Sequence, residues 1–222
     1  MQGKTADTIE RIGGVAAATL SVLDPVTGVF ATVLKEGYGR FAKNKIEEAE
    51  RVLEEEILRD PQAIERLKQD PESTAARTFR YIRAATVGTA HENLRILARL
   101  VVHGDGSRAI PADDFLYYAH TIESLRHDEM VVLAAIIRER LRRERLGAAD
   151  VDADVRKQVI DGLKGTFTEN ESDGLFGALQ RTGFVYMTSG YGGGGWHVSP
   201  QLMRLEATVQ FTEAVAAAKA RK

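Results

Sequence analysis

Cysteine is absent from the 222 residues. Disulfides, thiolate nucleophiles and cysteine-held zinc are therefore excluded, and a reducing, cytoplasmic setting is the expectation. Charge of either sign is nearly balanced, with 30 Lys and Arg against 32 Asp and Glu and a formal net charge of −2. No global field exists to hold a polyanion such as nucleic acid. Sequence motifs for phosphate loops (G-x-x-x-x-G-K-[ST]), nucleophile elbows (G-x-S-x-G) and zinc proteases (H-E-x-x-H) are missing as well. Nothing in the sequence nominates a catalytic residue, a metal ligand or a cofactor site, and a non-enzymatic protein is expected. The N-terminus carries Asp7 and Glu10 and lacks the basic flank and apolar centre of a signal peptide.

Proline is scarce, at five residues, and three of them follow aspartate: Asp24-Pro25, Asp60-Pro61 and Asp70-Pro71. Aspartate caps free N–H groups and proline tolerates the first helical position, so each pair predicts a helix start. The expected helices run over roughly 5–23, 25–59, 61–69, 71–103 and 111–125. The second carries a stripe that includes Phe41, Ile46, Val52, Leu53 and Ile57, over a long span for a globular helix. Glu54, Glu55 and Glu56 lie side by side on it and point different ways, so they make no carboxylate pair.

Long apolar runs are represented by one segment, Ile12 to Leu34, whose only charge is Asp24. A mid-membrane carboxylate costs about 2.5–3.5 kcal/mol on insertion scales, and Pro25 interrupts the helix there. Two small-residue helices in a soluble bundle are expected, with a membrane-active effector as an alternative.

From Ser124 to Ser199 the pattern changes. Three helices are predicted, beginning near a Ser124 cap, over 152–164, and over 170–182 with Asn170 as cap. Two aromatic, β-branched runs follow, Phe184 to Thr188 and Trp196 to Val198, around a glycine-rich tip. That order predicts a winged-helix-like unit with one β-hairpin, and a final helix from Pro200. The fold class expected is mainly α: a long-helix bundle over 1–123, then the winged-helix-like unit with its C-terminal helix over 124–222.

Winged helices commonly grip DNA, yet here the third helix carries Glu169, Glu171 and Asp173 against a single Arg181, and the wing has no Lys or Arg. Residues 161–222 hold six basic and six acidic groups, with Lys219, Arg221 and Lys222 at the very end. An acidic helix N-terminus repels phosphates. A DNA-binding regulator is thus the alternative, and a protein partner or self-association the leading expectation. The candidate contacts are Tyr191 and Trp196 near the wing, with Arg138, Arg142 and Arg143 on the first helix. Glu139 and Glu144 partly neutralise that basic run, so a solvated face is the plainer account of it. For Trp196 the plainer account is packing on the third helix.

His120, Glu123 and His127 share a helical spacing, but a break near Ser124 would split them, so no metal site is expected. The tip Gly190 to Gly195 formally matches G-x-G-x-x-G. A strand follows it where a dinucleotide site needs a helix.

The apolar spacing of Leu97 to Val101, Pro111 to Phe115, Leu125 to Glu129 and Leu179 to Phe184 resembles the abortive-infection alpha family and related phage-linked helical proteins. The resemblance implies a bacterial or phage-associated protein in antiphage defence. It carries no catalytic motif, and no functional residue transfers with it.

Overall fold

The computed structural model describes residues 29–87, 91–103, 112–148, 150–151, 154–190 and 193–219. The chain divides into two compact units, Met1–Glu123 and Ser124–Lys222. The fold is mainly helical, with one antiparallel β-hairpin near the C-terminus.

In the first unit α1 is Val29–Arg59, α2 Ala63–Gln69, α3 Pro71–Thr86, α4 His91–His103 and α5 Ala112–Ser124. The start near Pro25, the helix over 5–23 and most of the apolar segment 12–34 lie outside the described residues. Among the described residues no helix is long and apolar enough to cross a membrane. Helix α3 starts as the sequence predicts: Asp70 Oδ1 accepts the Ser73 N–H at 3.0 Å, and Pro71 occupies the first turn. At Asp60 the helix begins two residues later than expected, because the Asp60 carboxylate accepts the Gln62 N–H at 2.9 Å and holds Pro61-Gln62 as a turn.

The single helix expected over 71–103 is two. α3 ends at Thr86, with the Val87 N–H after it bonding to the Arg83 carbonyl at 3.2 Å, and α4 starts at His91. Thr86 and Val87 are β-branched, poor helix formers at the point where α3 stops. Phe41, expected on the apolar stripe of α1, is 43% exposed, and Phe79 on α3 and Val87 at its end are 44% and 71% exposed.

Helix α4 is the centre of this unit. Every residue from Glu92 to Val102 is buried, including Asn93, Arg95 and Arg99. Polar groups inside a core must be paired. Asn93 donates to the Ile122 carbonyl of α5 at 2.5 Å, and the arginines meet carboxylates of α1. Tyr81 of α3 donates to the Ala49 carbonyl of α1 at 2.8 Å, and Arg80 pairs with Glu123 of α5 at 2.7 Å.

The second unit is built on α6, His127–Arg145, against which α7 (Arg156–Leu163), α8 (Glu169–Leu179), and the C-terminal α9 (Pro200–Val209) and α10 (Phe211–Lys219) all pack. Ser124 closes α5 and does not cap α6. The Glu129 carboxylate does so, accepting the Arg126 N–H at 2.9 Å. α6 ends on Gly147 at φ +62°, with the Ala148 N–H reaching the Arg143 carbonyl and the Gly147 N–H the Glu144 carbonyl. That left-handed stop favours glycine, which has no Cβ to clash.

The cap of α8 is Thr168 in place of the expected Asn170. Its hydroxyl accepts the Glu171 N–H at 3.3 Å, while Glu171 accepts the Thr168 N–H at 2.8 Å. A 3₁₀ turn, Gln180–Thr182, leads into the hairpin of β1 (Val185–Gly190) and β2 (Gly193–Val198), paired from Val185↔Val198 to Gly190↔Gly193. Three of the glycines expected to form the tip therefore belong to β2. The Val155 N–H donates to the Trp196 carbonyl at 3.1 Å, which ties the residue before α7 to β2.

The single C-terminal helix expected is also broken, at Gln210 with φ +50°. Glu206 stabilises the new start by accepting the Thr212 N–H at 2.9 Å and its hydroxyl at 2.6 Å.

Candidate interaction surface

Five arginines lie on the second half of α6, and their partners separate them. Arg142 makes two hydrogen bonds to Glu139, both 2.8 Å, and Arg140 pairs with Glu144 at 2.6 Å. Arg143 is only 8% exposed. It donates to Glu139 at 2.9 Å, to the Asp154 carbonyl at 2.8 Å and to Gln158 at 3.1 Å, clamping the chain before α7 onto α6. The hydrogen bond from Arg142, with that from Arg143, outweighs burial and holds the Glu139 carboxyl below its ordinary 4.5. Arg138 and Arg145 are exposed and form no ion pair among the described residues.

Between α6 and α7 lies a groove of about 320 Å³, lined by Ala135, Arg138, Arg142 and Arg145 on one side and by Gln158 and Gly162 on the other. Positions 135, 138, 142 and 145 follow one helical face. A Cβ on Gly162 would meet nothing within 4 Å, so the α7 wall is open there.

Helix α8 presents a different surface. Leu175, Phe176 and Leu179 are buried against the unit, leaving Asn170, Glu171, Gly174 and Gly177 exposed. Asp173 is tied to Arg156 of α7 by bonds of 2.7 and 2.5 Å. Hydrogen bonds from the Thr168 N–H and hydroxyl keep the Glu171 carboxyl below its ordinary value, so it stays charged. Arg181, the one basic residue at this end, is bound to the buried Glu129 at 2.6 and 2.8 Å. Burial alone would raise Glu129; the bonds from Arg181 and the Arg126 N–H overcome it and lower the carboxyl.

In the hairpin, Trp196 packs on Phe176 of α8 with ring centroids 5.3 Å apart, and its backbone N–H donates to Asp154 at 3.0 Å. Trp196 is thus in part a structural residue, half-buried on the third helix. Tyr191 lies outside the described residues. On the other face of the hairpin Tyr186 stacks on His197 at 5.5 Å, and Thr188 bonds His197 at 2.8 Å. A Cβ on Gly194 would come within 3.0 Å of the Thr188 carbonyl, which explains a glycine at that register position.

Of the residues nominated from sequence, Arg138 and Arg142 line one groove, Arg143 supports it from behind, and Trp196 belongs to the hairpin. His120 and Glu123 sit on α5 and His127 opens α6; Glu123 accepts Arg80. Among the described residues no three His, Asp or Glu groups converge as metal ligands would.

Sequence reasoning missed the charged cluster of the first unit. Glu56, 2% exposed, accepts Arg95 at 2.9 Å, Arg99 at 3.0 Å and Arg59 at 3.0 Å, and Arg95 also reaches Glu55 at 2.6 Å. The available signal was Arg95 and Arg99 at i, i+4, matched by the Glu run of α1. Nearby, Asp60 takes Arg66, and its carboxyl is lowered chiefly by that hydrogen bond. His103 lies 3.3 Å from Asp60, and burial pushes the imidazole below its ordinary value.

Compared with protein-family models, with curated proteins and with solved structures, the chain matches none.

Proposed function

We propose that the protein is a non-enzymatic interaction or regulatory protein whose winged-helix-like unit docks another protein and does not read DNA. The supporting observation is the state of the charges around α8. Its exposed face is Glu169, Asn170, Glu171, Gly174 and Gly177, and Arg181 in the turn that follows it is bound to Glu129. Base readout needs long polar side chains on that helix, and phosphate binding needs several free cations around it. Self-association belongs to the same proposal, with the 31-residue α1 as its surface: Phe41 and Leu58 on it are 43% and 73% exposed. A cytoplasmic setting and a role in antiphage defence are parts of the proposal that rest on the sequence alone.

One observation favours DNA: the order α6, α7, α8, β1, β2 is the arrangement DNA-reading winged helices use. A titration of duplex DNA at low salt tests between them. The expected outcome is no saturable binding by the wild-type chain. Binding that disappears on neutralising Arg138, Arg140, Arg142 and Arg143 together, or that follows substitutions in α8, would establish the regulator.

A further inference from the structure

Around the α6/α7 groove three acidic side chains are already matched. Glu139 takes Arg142 and Arg143, Glu144 takes Arg140 at 2.6 Å, and Asp161 takes Lys164 at 2.6 Å. Among the residues lining the groove three arginines stand against Glu139 alone, a local excess of two positive charges, and Arg138 and Arg145 form no ion pair among the described residues. Seven residues separate them on α6, about 10 Å along the axis at 1.5 Å per residue. Ala135 contributes apolar surface, and Leu146, the residue after Arg145, is a large apolar side chain left 70% exposed.

From this arrangement we infer that the groove seats an acidic amphipathic helix of a partner protein. The inference rests on the proposal that this unit docks protein, and adds where and by what chemistry. A helix laid along α6 presents carboxylates at i and i+7 about 10 Å apart, matching Arg138 and Arg145. Its apolar face lies on Ala135 and reaches Leu146. Arg142, neutralised by Glu139 but 52% exposed, offers its remaining N–H groups at the middle of the contact. A nucleic acid fits the same groove less well. Two free cations neutralise too few phosphates for binding that survives salt, the Glu139 carboxylate lies within the groove, and Leu146 has no use for a phosphodiester.

The test uses the full chain and a fluorescein-labelled peptide of Glu, Leu and Ala, ~15 residues long so that it forms a helix, with Glu at i and i+7. A single-stranded oligothymidylate of equal charge serves as the comparison. Saturable peptide binding is expected at low salt. It should weaken about tenfold in Arg138→Ala/Arg145→Ala, at roughly half that loss per rim charge on a logarithmic scale, and be largely restored by Arg138→Lys/Arg145→Lys. Leu146→Ser should weaken it with no change in salt dependence. Because all three side chains are exposed, unchanged thermal melting confirms that the variants fold. Peptide binding indifferent to both arginines would overturn the groove assignment while leaving a protein-docking role intact. Absence of saturable peptide binding would overturn the assignment too. Tighter binding of the oligothymidylate that depends on the same arginines would overturn the protein-docking proposal itself.

Discussion

Glu56 shows how strongly a single buried charge is held. Its carboxylate receives three arginines within 3.0 Å at 2% exposure. Removing Glu56 takes away the acceptor shared by two buried arginines, Arg95 and Arg99, and breaking such a buried pair costs about 3–5 kcal/mol. Chemical denaturation of Glu56→Ala should show a loss of that size, whereas Glu47→Ala, whose partner Lys43 is 74% exposed at 3.9 Å, should lose under ~1 kcal/mol. Equal losses at the two sites would contradict the cluster's role. A second residue-scale prediction follows from Glu139. Its carboxyl is lowered in the folded protein, so the unfolded chain binds more protons below the ordinary 4.5. The stabilisation it contributes is present above that pH and lost as pH falls through the depressed value. The difference in melting temperature between wild type and Glu139→Gln should therefore shrink on acidification below 4.5. A constant difference across that range would contradict the pairing.

Helix α8 carries glycines at positions that would accept a better helix former. Gly174 and Gly177 occupy exposed positions where a Cβ would meet nothing within 4 Å. Alanine there should stabilise the protein by about 0.5–1 kcal/mol at each site. At its start the Thr168 cap predicts the opposite sign: Thr168→Ala should cost about 1 kcal/mol. Thermal melts of the three variants check both signs, and destabilisation by either alanine at the glycines would show that the face is packed. The elements of this unit were legible because their signals are local. Ser199-Pro200 carries its cap within three residues, as Asp70-Pro71 does in the first unit, and Phe184 to Thr188 is rich in the aromatic and β-branched residues that strands favour. Where prediction failed, the deciding contact came from elsewhere. Thr168 outcompetes Asn170 because Glu171 completes the box with it. Gln210 breaks the last helix because Glu206 can cap Thr212. The groove was half legible: the spacing of Arg138, Arg142 and Arg145 is in the sequence, but nothing there says that Glu139 takes Arg142 and Arg143 while leaving the other two. Arg95 and Arg99 look like a solvent stripe until α4 is found buried all round.

At the scale of the whole molecule, α1 sets an expectation for assembly. Thirty-one helical residues span roughly 46 Å, with Phe41 and Leu58 exposed along it. Light scattering on the full chain should give a mass of at least twice 24.4 kDa at high concentration, and Leu58→Glu should lower it. A monomer throughout would remove α1 as the associating surface and leave the groove untouched. The second unit sets three helices before a hairpin, with a glycine and carboxylate face on α8 and two arginines on α6, Arg138 and Arg145, that form no ion pair among the described residues; the proposal that it docks protein rests on those charges. Amide chemical-shift mapping on the full chain asks where a ligand lands. Titrated with the Glu/Leu/Ala helix and, separately, with duplex DNA, the protein should show peptide-induced shifts along 135–146 and 158–163, with α8 and β2 unchanged by either ligand. DNA-induced shifts concentrated on Asn170 to Arg181 and Gly193 to His197 would contradict the account at its centre.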